Sequence, residues 1–266
     1  MTTRAALVRA CHPGPTLAVT VLVALLSVAL DLDLATGILV TTAVFTGQLT
    51  IGWSNDLIDA ARDRAVARED KPLARGELSE ALVRRAIGVA GVACVVLSFL
   101  CGWRSALVHL FLGVGSGWAY NLGLKRTAWS ALPYAVAFGV LPAVVSLSLP
   151  ARGWPPVWMM ATGAVLGVGA HLLNALPDLS DDAATGVRGL PQRLGAGRVR
   201  VIAAAVLLAG SVVATFGPGG AVPAGAWVGL AACVLLALFA VLGRGKGPFV
   251  AAIGIALVDV AVLVLR

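Results

Sequence analysis

Apolar residues run along this chain in long blocks, parted by short polar stretches. About 20 such residues in a helix cross the hydrocarbon core of a bilayer. On that ruler the pattern predicts helices over 15–33, 36–63, 79–101, 104–122, 129–149, 155–179, 199–216, 222–242 and 247–265. The expected fold is all-α: a polytopic membrane protein of about nine transmembrane helices, forming a single transmembrane domain over residues 1–266. The first block, Thr16–Leu30, follows a short basic leader holding Arg4 and Arg9. No convincing cleavage site follows it, so it reads as the first span and not as a signal peptide. The longest polar stretch is 64–80.

Composition agrees with the pattern. Of 266 residues, 59% are hydrophobic and 12% charged, which excludes a soluble domain. The net charge of +7 would suit nucleic acid, but the basic residues fall in short loops between apolar blocks. That is a topology signature, so the expected partner is the lipid bilayer and no nucleic acid. With the N-terminus in the cytoplasm, the 20 Lys and Arg all fall on inner segments except Arg104, Arg152 and Arg266. The four cysteines, Cys11, Cys94, Cys101 and Cys233, show no metal-ligand spacing and read as small packing residues.

Two acidic stretches break the apolar pattern. The first runs from Asn55 to Asp63 and the second from Asn174 to Asp182, and both fit Asn-x-x-x-Asp-x-x-x-Asp. On a helix such positions share one face. Each stripe therefore offers an amide and two carboxylates at the end of an apolar run: Asn55, Asp59 and Asp63, with Asp56 beside them, then Asn174, Asp178 and Asp182. Massed carboxylates repel one another unless a cation lies between them. Oxygen ligands without His or Cys suit a hard ion such as Mg²⁺, which bridges to substrate phosphates. The repeated motif suggests a loose internal duplication, with the second and sixth helices facing each other across a central cavity. Gln48 lies on the first motif's face. His171 stands one turn before Asn174 and reads as a base or as a satisfied core histidine, with the core role favoured. His109 reads as a packing or interhelical hydrogen-bonding residue, and Pro177 should kink or end the sixth helix. Asp259 is an isolated acid in the last helix, with no partner identifiable from sequence.

The two motifs resemble those of the UbiA superfamily of intramembrane prenyltransferases. The resemblance extends to Tyr120-Asn121-x-x-x-Lys125-Arg126 between them and to Gly186-Val187-Arg188-Gly189-Leu190-Pro191 after the second, in the same order. Lys71-Pro72-Leu73 is loosely similar to a basic-proline turn of the family. Where many members carry a further acid ahead of the second motif, this chain has Ala175, and Asp181 lies off the stripe. The resemblance implies a Mg²⁺-dependent enzyme acting on an isoprenyl diphosphate inside the membrane. Asp59, Asp63, Asp178 and Asp182 would do the catalytic work, and Arg68, Lys71, Tyr120, Lys125 and Arg126 would bind the diphosphate. The prenyl group would pass to an aromatic or lipid-like acceptor, with the site at the cytoplasmic side. A UbiA-type terpene cyclase, which captures the cation within its own chain, is the alternative. A transporter is a third reading, disfavoured because the acids sit at helix ends and not near the bilayer centre.

Overall fold

The computed structural model describes residues 2–265, and every regular element among them is helical. In chain order these are α1 (Thr3–Ala10), α2 (Pro13–Ala29), α3 (Leu34–Ala65) and α4 (Glu80–Leu100), then α5 (Trp103–Leu107), a π-helical stretch (Val108–Val114) and α6 (Gly115–Leu122). A 3₁₀ turn (Leu124–Arg126), α7 (Leu132–Gly139), α8 (Leu141–Ser146) and α9 (Val157–Asn174) follow. The chain ends with a 3₁₀ turn (Leu176–Asp178), α10 (Leu179–Ala184), α11 (Leu190–Leu194), α12 (Ala196–Phe216), α13 (Ala224–Leu242) and α14 (Gly247–Val264).

Among the described residues, six helices are long and apolar enough to cross a membrane, and seven if the bent pair α1 and α2 is one span. Two of the nine expected spans are interrupted. Residues 104–122 carry the π-helical stretch, and 129–149 are split into α7 and α8 at Val140, where Pro142 opens the new helix. A proline in a first helical turn needs no amide partner and fixes the entry angle. The last helices, α12 to α14, lie close to their expected bounds because their polar residues are isolated and their one proline, Pro248, falls in the first turn of α14, where it breaks no helical hydrogen bond.

Helix α3 sets the geometry of the site. Its 32 residues span about 48 Å, more than the roughly 30 Å of an apolar bilayer core, and the first acidic motif occupies its last three turns. Asp33 caps its start by accepting from the Thr36 amide, and Arg62 and Arg64 sit in its last turn, where the helix dipole favours positive charge. Helix α9 ends at Asn174, earlier than the 155–179 of the sequence pattern. Pro177 has no amide to continue the helix, and the chain passes through the 3₁₀ turn into α10. The second motif is therefore bent across a helix break and is not the single straight stripe expected from its spacing.

Close packing holds these helices in register. A Cβ on Gly163 or Gly167 of α9 would run into the backbone carbonyl of Phe138 or Tyr134 on α7, so only glycine permits this approach. Buried apolar residues of α9, α12 and α14, among them Leu172, Leu207 and Ile255, form one cluster. Val23, Val44 and Val144 centre a second, joining α2, α3 and α8. His109 is buried and shares a hydrogen bond of 2.8 Å with Ser98, tying the π-helical stretch to α4 as an interhelical residue. Asp259 does have partners: Ser211 on α12 lies 2.9 Å from one carboxyl oxygen and Cys233 on α13 is 3.6 Å from the other.

Candidate active site

A cavity of about 280 Å³ lies between α2, α3, α6, α7, α9 and α14. Its inner wall is apolar, with Val19, Leu22, Phe138, Leu166 and Phe249. Its other end carries Asn55, Asp59, Arg62, Arg68, Lys71, Lys125, Asn174, Asp178 and Asp182. Residues from both acidic motifs thus line one space, one end of which is charged and the other hydrocarbon-like.

The first motif divides along α3. Asp59 is 3% exposed, and one of its oxygens accepts from Lys125 Nζ at 2.5 Å and from Arg62 at 3.1 Å. Its other oxygen, Oδ1, is buried with no hydrogen-bond partner. Asn55 donates to Asn121 Oδ1 at 3.0 Å, while Asn121 donates to Ile51 O and to Ser54. Asp56 does not line the cavity. It is bound from the side by Lys71 Nζ at 2.6 Å and by His12 Nε2 at 2.8 Å. Asp63 is buried as well, 3.4 Å from Arg62, and it too lies outside the lining. Of the ligands expected from this stripe, Asn55 and Asp59 face the cavity. The residues four apart share a face, as expected, but the pitch of 3.6 residues per turn drifts over two turns and carries Asp63 off it.

The second motif is held by its neighbours. Asp178 pairs with Arg68 at 3.0 Å. Asp182 accepts from Gln192 at 2.7 Å and lies 3.8 Å from Arg62. Burial raises the Asp182 carboxyl above its ordinary value, and Arg62 opposes that. Asn174 donates to the Tyr134 hydroxyl at 3.3 Å. Asp181 is half exposed, 3.5 Å from Arg68, and does not line the cavity. Arg68 also grips Asp70 at 2.8 Å, which pulls that carboxyl down to about 2. The loop 64–80 is consequently no detached flap: Arg68 and Lys71 anchor it to both motifs, and Leu73 and Leu78 are buried beneath it.

Lys125 and Arg126 part company. Lys125 points into the site and is buried, and desolvation lowers its ammonium against the opposing pull of Asp59. Arg126, next along a 3₁₀ turn, is exposed and off the cavity lining, contrary to the expectation that both bind one ligand. Adjacent side chains on a three-residue turn diverge by about 120°, so one loop cannot present both. Tyr120 lines the cavity and meets Tyr134 edge-on at 5.3 Å between ring centres.

Sequence reasoning passed over Arg62, His12, Tyr134 and Gln192. Arg62 lies inside the first motif, three residues from Asp59, but read only as a topology residue. It now stands against Asp59, Asp63 and Asp182, the one cationic group seen to touch both motifs among the described contacts. His12 owes its place to a left-handed backbone turn at φ 55°, which bends α1 from α2 by 65°. No pattern in sequence marks that turn.

Among the described residues, no three His, Cys, Asp or Glu side chains converge tightly enough to form a metal centre. The donor chemistry still fits a hard divalent ion. Asp59 Oδ1 is a buried, unpartnered carboxylate oxygen, and Asp178 and Asp182 line the same cavity with oxygen donors alone. At present basic side chains hold these acids.

Long apolar helices thus surround a cavity with one charged end and one apolar end. The UbiA prenyltransferase family model matches residues 16–247, and the chain belongs to that family. It is therefore an integral membrane protein of a family that transfers prenyl groups. Among curated relatives, a lycopene elongase/hydratase from Haloferax volcanii is 29% identical over 145 residues, covering 53% of this chain and 47% of that protein. The match thus spans about half of that relative. Among solved structures, a UbiA homologue from Aeropyrum pernix K1 superposes with a TM-score of 0.75 at 17% identity, covering 92% of this chain and 96% of that one. A UbiA homologue from Archaeoglobus fulgidus bound to DMAPP and Mg²⁺ gives 0.71 at 15% identity, over 98% and 99% of the two chains. At such identities these two likenesses establish the fold.

Proposed function

We propose that this protein ionises an isoprenyl diphosphate with the help of Mg²⁺ and passes the prenyl group to an acceptor. One observation carries the reading: acids of both motifs and Lys125 meet at one end of a cavity whose other end is apolar. Asp59, Asp178 and Asp182, with Asn55 and Asn174, would hold the metal. When bound, it would neutralise charge developing on the departing diphosphate. Lys125, Arg62, Arg68 and Lys71 line the same end, and in the reaction they would donate to diphosphate oxygens. Each now pairs with an aspartate and would exchange that partner for the incoming phosphate. The apolar wall would hold the isoprenyl tail and exclude the water that would quench an allylic cation. The Archaeoglobus relative bound to DMAPP and Mg²⁺, and another complex of an Archaeoglobus homologue with GPP and Mg²⁺, support the same substrate class.

The metal step has a direct test. Purified protein given labelled geranylgeranyl diphosphate should release diphosphate with Mg²⁺ and stop on exhaustive chelation. Full release in excess chelator would remove the metal from the mechanism. Analysis of the organic product, with and without added acceptor, separates transfer from cyclisation.

We further propose that both acidic motifs face the cytoplasm, on the strength of the asymmetric Lys and Arg distribution. Single cysteines at Glu69 and Gly186, both in the polar loops that follow the motifs, should react with a membrane-impermeant maleimide from the cytoplasmic side only. Labelling of the two from opposite sides would refute the arrangement.

A further inference from the structure

We infer that Phe138 and Leu166 set the length of isoprenyl chain this protein prefers, by closing the tail end of its cavity after two to three isoprene units. The inference rests on the reading above, that the cavity takes an isoprenyl diphosphate, and adds which one.

A second cavity, of about 70 Å³, lies beyond the apolar end of the first. Leu22, Phe138, Leu141, Leu166 and Ala256 line both. Three helices agree on the order. The changeover from one cavity to the other falls at Leu166 on α9, at Leu22 on α2 and at Ala256 on α14. The two spaces therefore follow one another down a single axis, and the shared side chains form the partition between them. The six helices that line the first cavity each touch the next around the ring, so the straight course for a tail is along that axis.

The partition is held in place. Phe138 stacks on Tyr134, with ring centres 6.2 Å apart and planes 7° from parallel. It also lies against α9 where Gly167 has no side chain, and a Cβ there would come within 2.8 Å of the Phe138 Cβ. Leu166 packs in the same way against Gly210 of α12, where a Cβ would meet its Cδ2 at 2.8 Å. Side chains packed this closely move aside only by displacing their neighbours.

Length follows from the helix rise. Asn174, at the charged end, lies eight residues from Leu166, about 12 Å along α9. An extended isoprene unit, four carbon–carbon bonds of about 1.5 Å each, advances about 5 Å. A geranyl chain therefore fits short of the partition, and a farnesyl chain reaches it. A geranylgeranyl chain overruns it and must push Phe138 or Leu166 toward the second cavity. That cavity reaches Trp158, a further eight residues or about 12 Å along α9. Asp259 borders it, but Ser211 and Cys233 hold the carboxyl oxygens, so the space suits hydrocarbon.

Geranyl and geranylgeranyl diphosphate would compete in equal amounts for one preparation of the purified protein, with Mg²⁺, in vesicles made from total lipid of the expressing cells. Mass spectrometry would follow the consumption of each. The ratio of the two rates reads relative kcat/KM and is independent of the folded fraction. The unsubstituted protein should consume both, geranyl diphosphate about tenfold faster, within the range by which apolar pockets sort substrates of different size. Leu166→Ala opens the partition and should bring the two rates close to equality. Phe138→Ala should do the same and serves if Leu166→Ala does not fold. Ala214→Phe, which fills the second cavity from α12, should cancel the gain when combined with Leu166→Ala. Equal consumption by the unsubstituted protein would overturn the inference. So would an unchanged ratio in both Leu166→Ala and Phe138→Ala, or a gain that survives Ala214→Phe. Consumption of neither substrate by the unsubstituted protein would instead overturn the reading of the cavity as an isoprenyl diphosphate site.

Discussion

Replacing Asp59 with alanine is expected to lower diphosphate release from an isoprenyl diphosphate by about 10²–10³, the usual cost of one well-placed electrostatic group. Asp59 is the first-motif aspartate that faces the cavity, and its Oδ1 is the unpartnered oxygen there. Asp178→Ala is expected to fall similarly, because it is the second motif's first acid on the same lining. The double variant should be little worse than either single one, since ligands of one ion act as a unit. Asp181→Ala is the control. Its carboxylate is half exposed and shares Arg68 with Asp178, so its loss should cost less than about fivefold, in keeping with a surface ion pair. Initial rates of labelled diphosphate release, normalised to protein that elutes as a folded species, decide the matter. Near-normal rates for both Asp59→Ala and Asp178→Ala would end the two-motif mechanism.

Lys125→Met should unfold more easily as well as turn over more slowly. Lys125 and Asp59 are 6% and 3% exposed and lie 2.5 Å apart. Removing one partner of a buried pair leaves the other charge uncompensated, which typically costs about 3–5 kcal/mol. Arg62, 3.1 Å from the same oxygen, stays in place, so the loss should sit near about 3 kcal/mol. Denaturation in mixed micelles would read it directly. Lys125→Met combined with Asp59→Leu should restore much of the stability and none of the activity, because it removes the orphaned charge along with its partner. A single variant as stable as the parent would show that Arg62 alone compensates Asp59.

Much of this arrangement was legible in the chain, for identifiable reasons. Apolar runs long enough to cross a membrane have few other uses, so the uninterrupted helices α4, α12, α13 and α14 fall near their expected bounds. Asp59, Asp178, Asp182, Tyr120 and Lys125 line the cavity as residues of the matching motifs. What misled was local backbone form. The spacing of each motif fits one straight helix, but Pro177 bends the second. Asp56, expected beside the stripe, lies off the cavity lining and is held by Lys71 and His12. Arg126 was credited alongside Lys125 because a sequence does not state that the two share a 3₁₀ turn, on which neighbouring side chains diverge. Arg62 and His12 were missed since their roles depend on contacts between distant segments, which no period or spacing encodes.

The order of residues along the chain also sets an order of assembly. Asp56 finds both its partners, His12 and Lys71, within the first third of the sequence. A growing chain entering the bilayer can therefore neutralise that acid while most of the protein is still unmade. Asp59 must wait until Lys125 has been synthesised. Asp178 arrives to meet an Arg68 laid down long before, and Asp182 gains Gln192 soon after its own synthesis. The basic loop after α3 thus acts first as an escort for the acids of its own helix, holding the early hairpin in a compensated state until the second half arrives to share its charge.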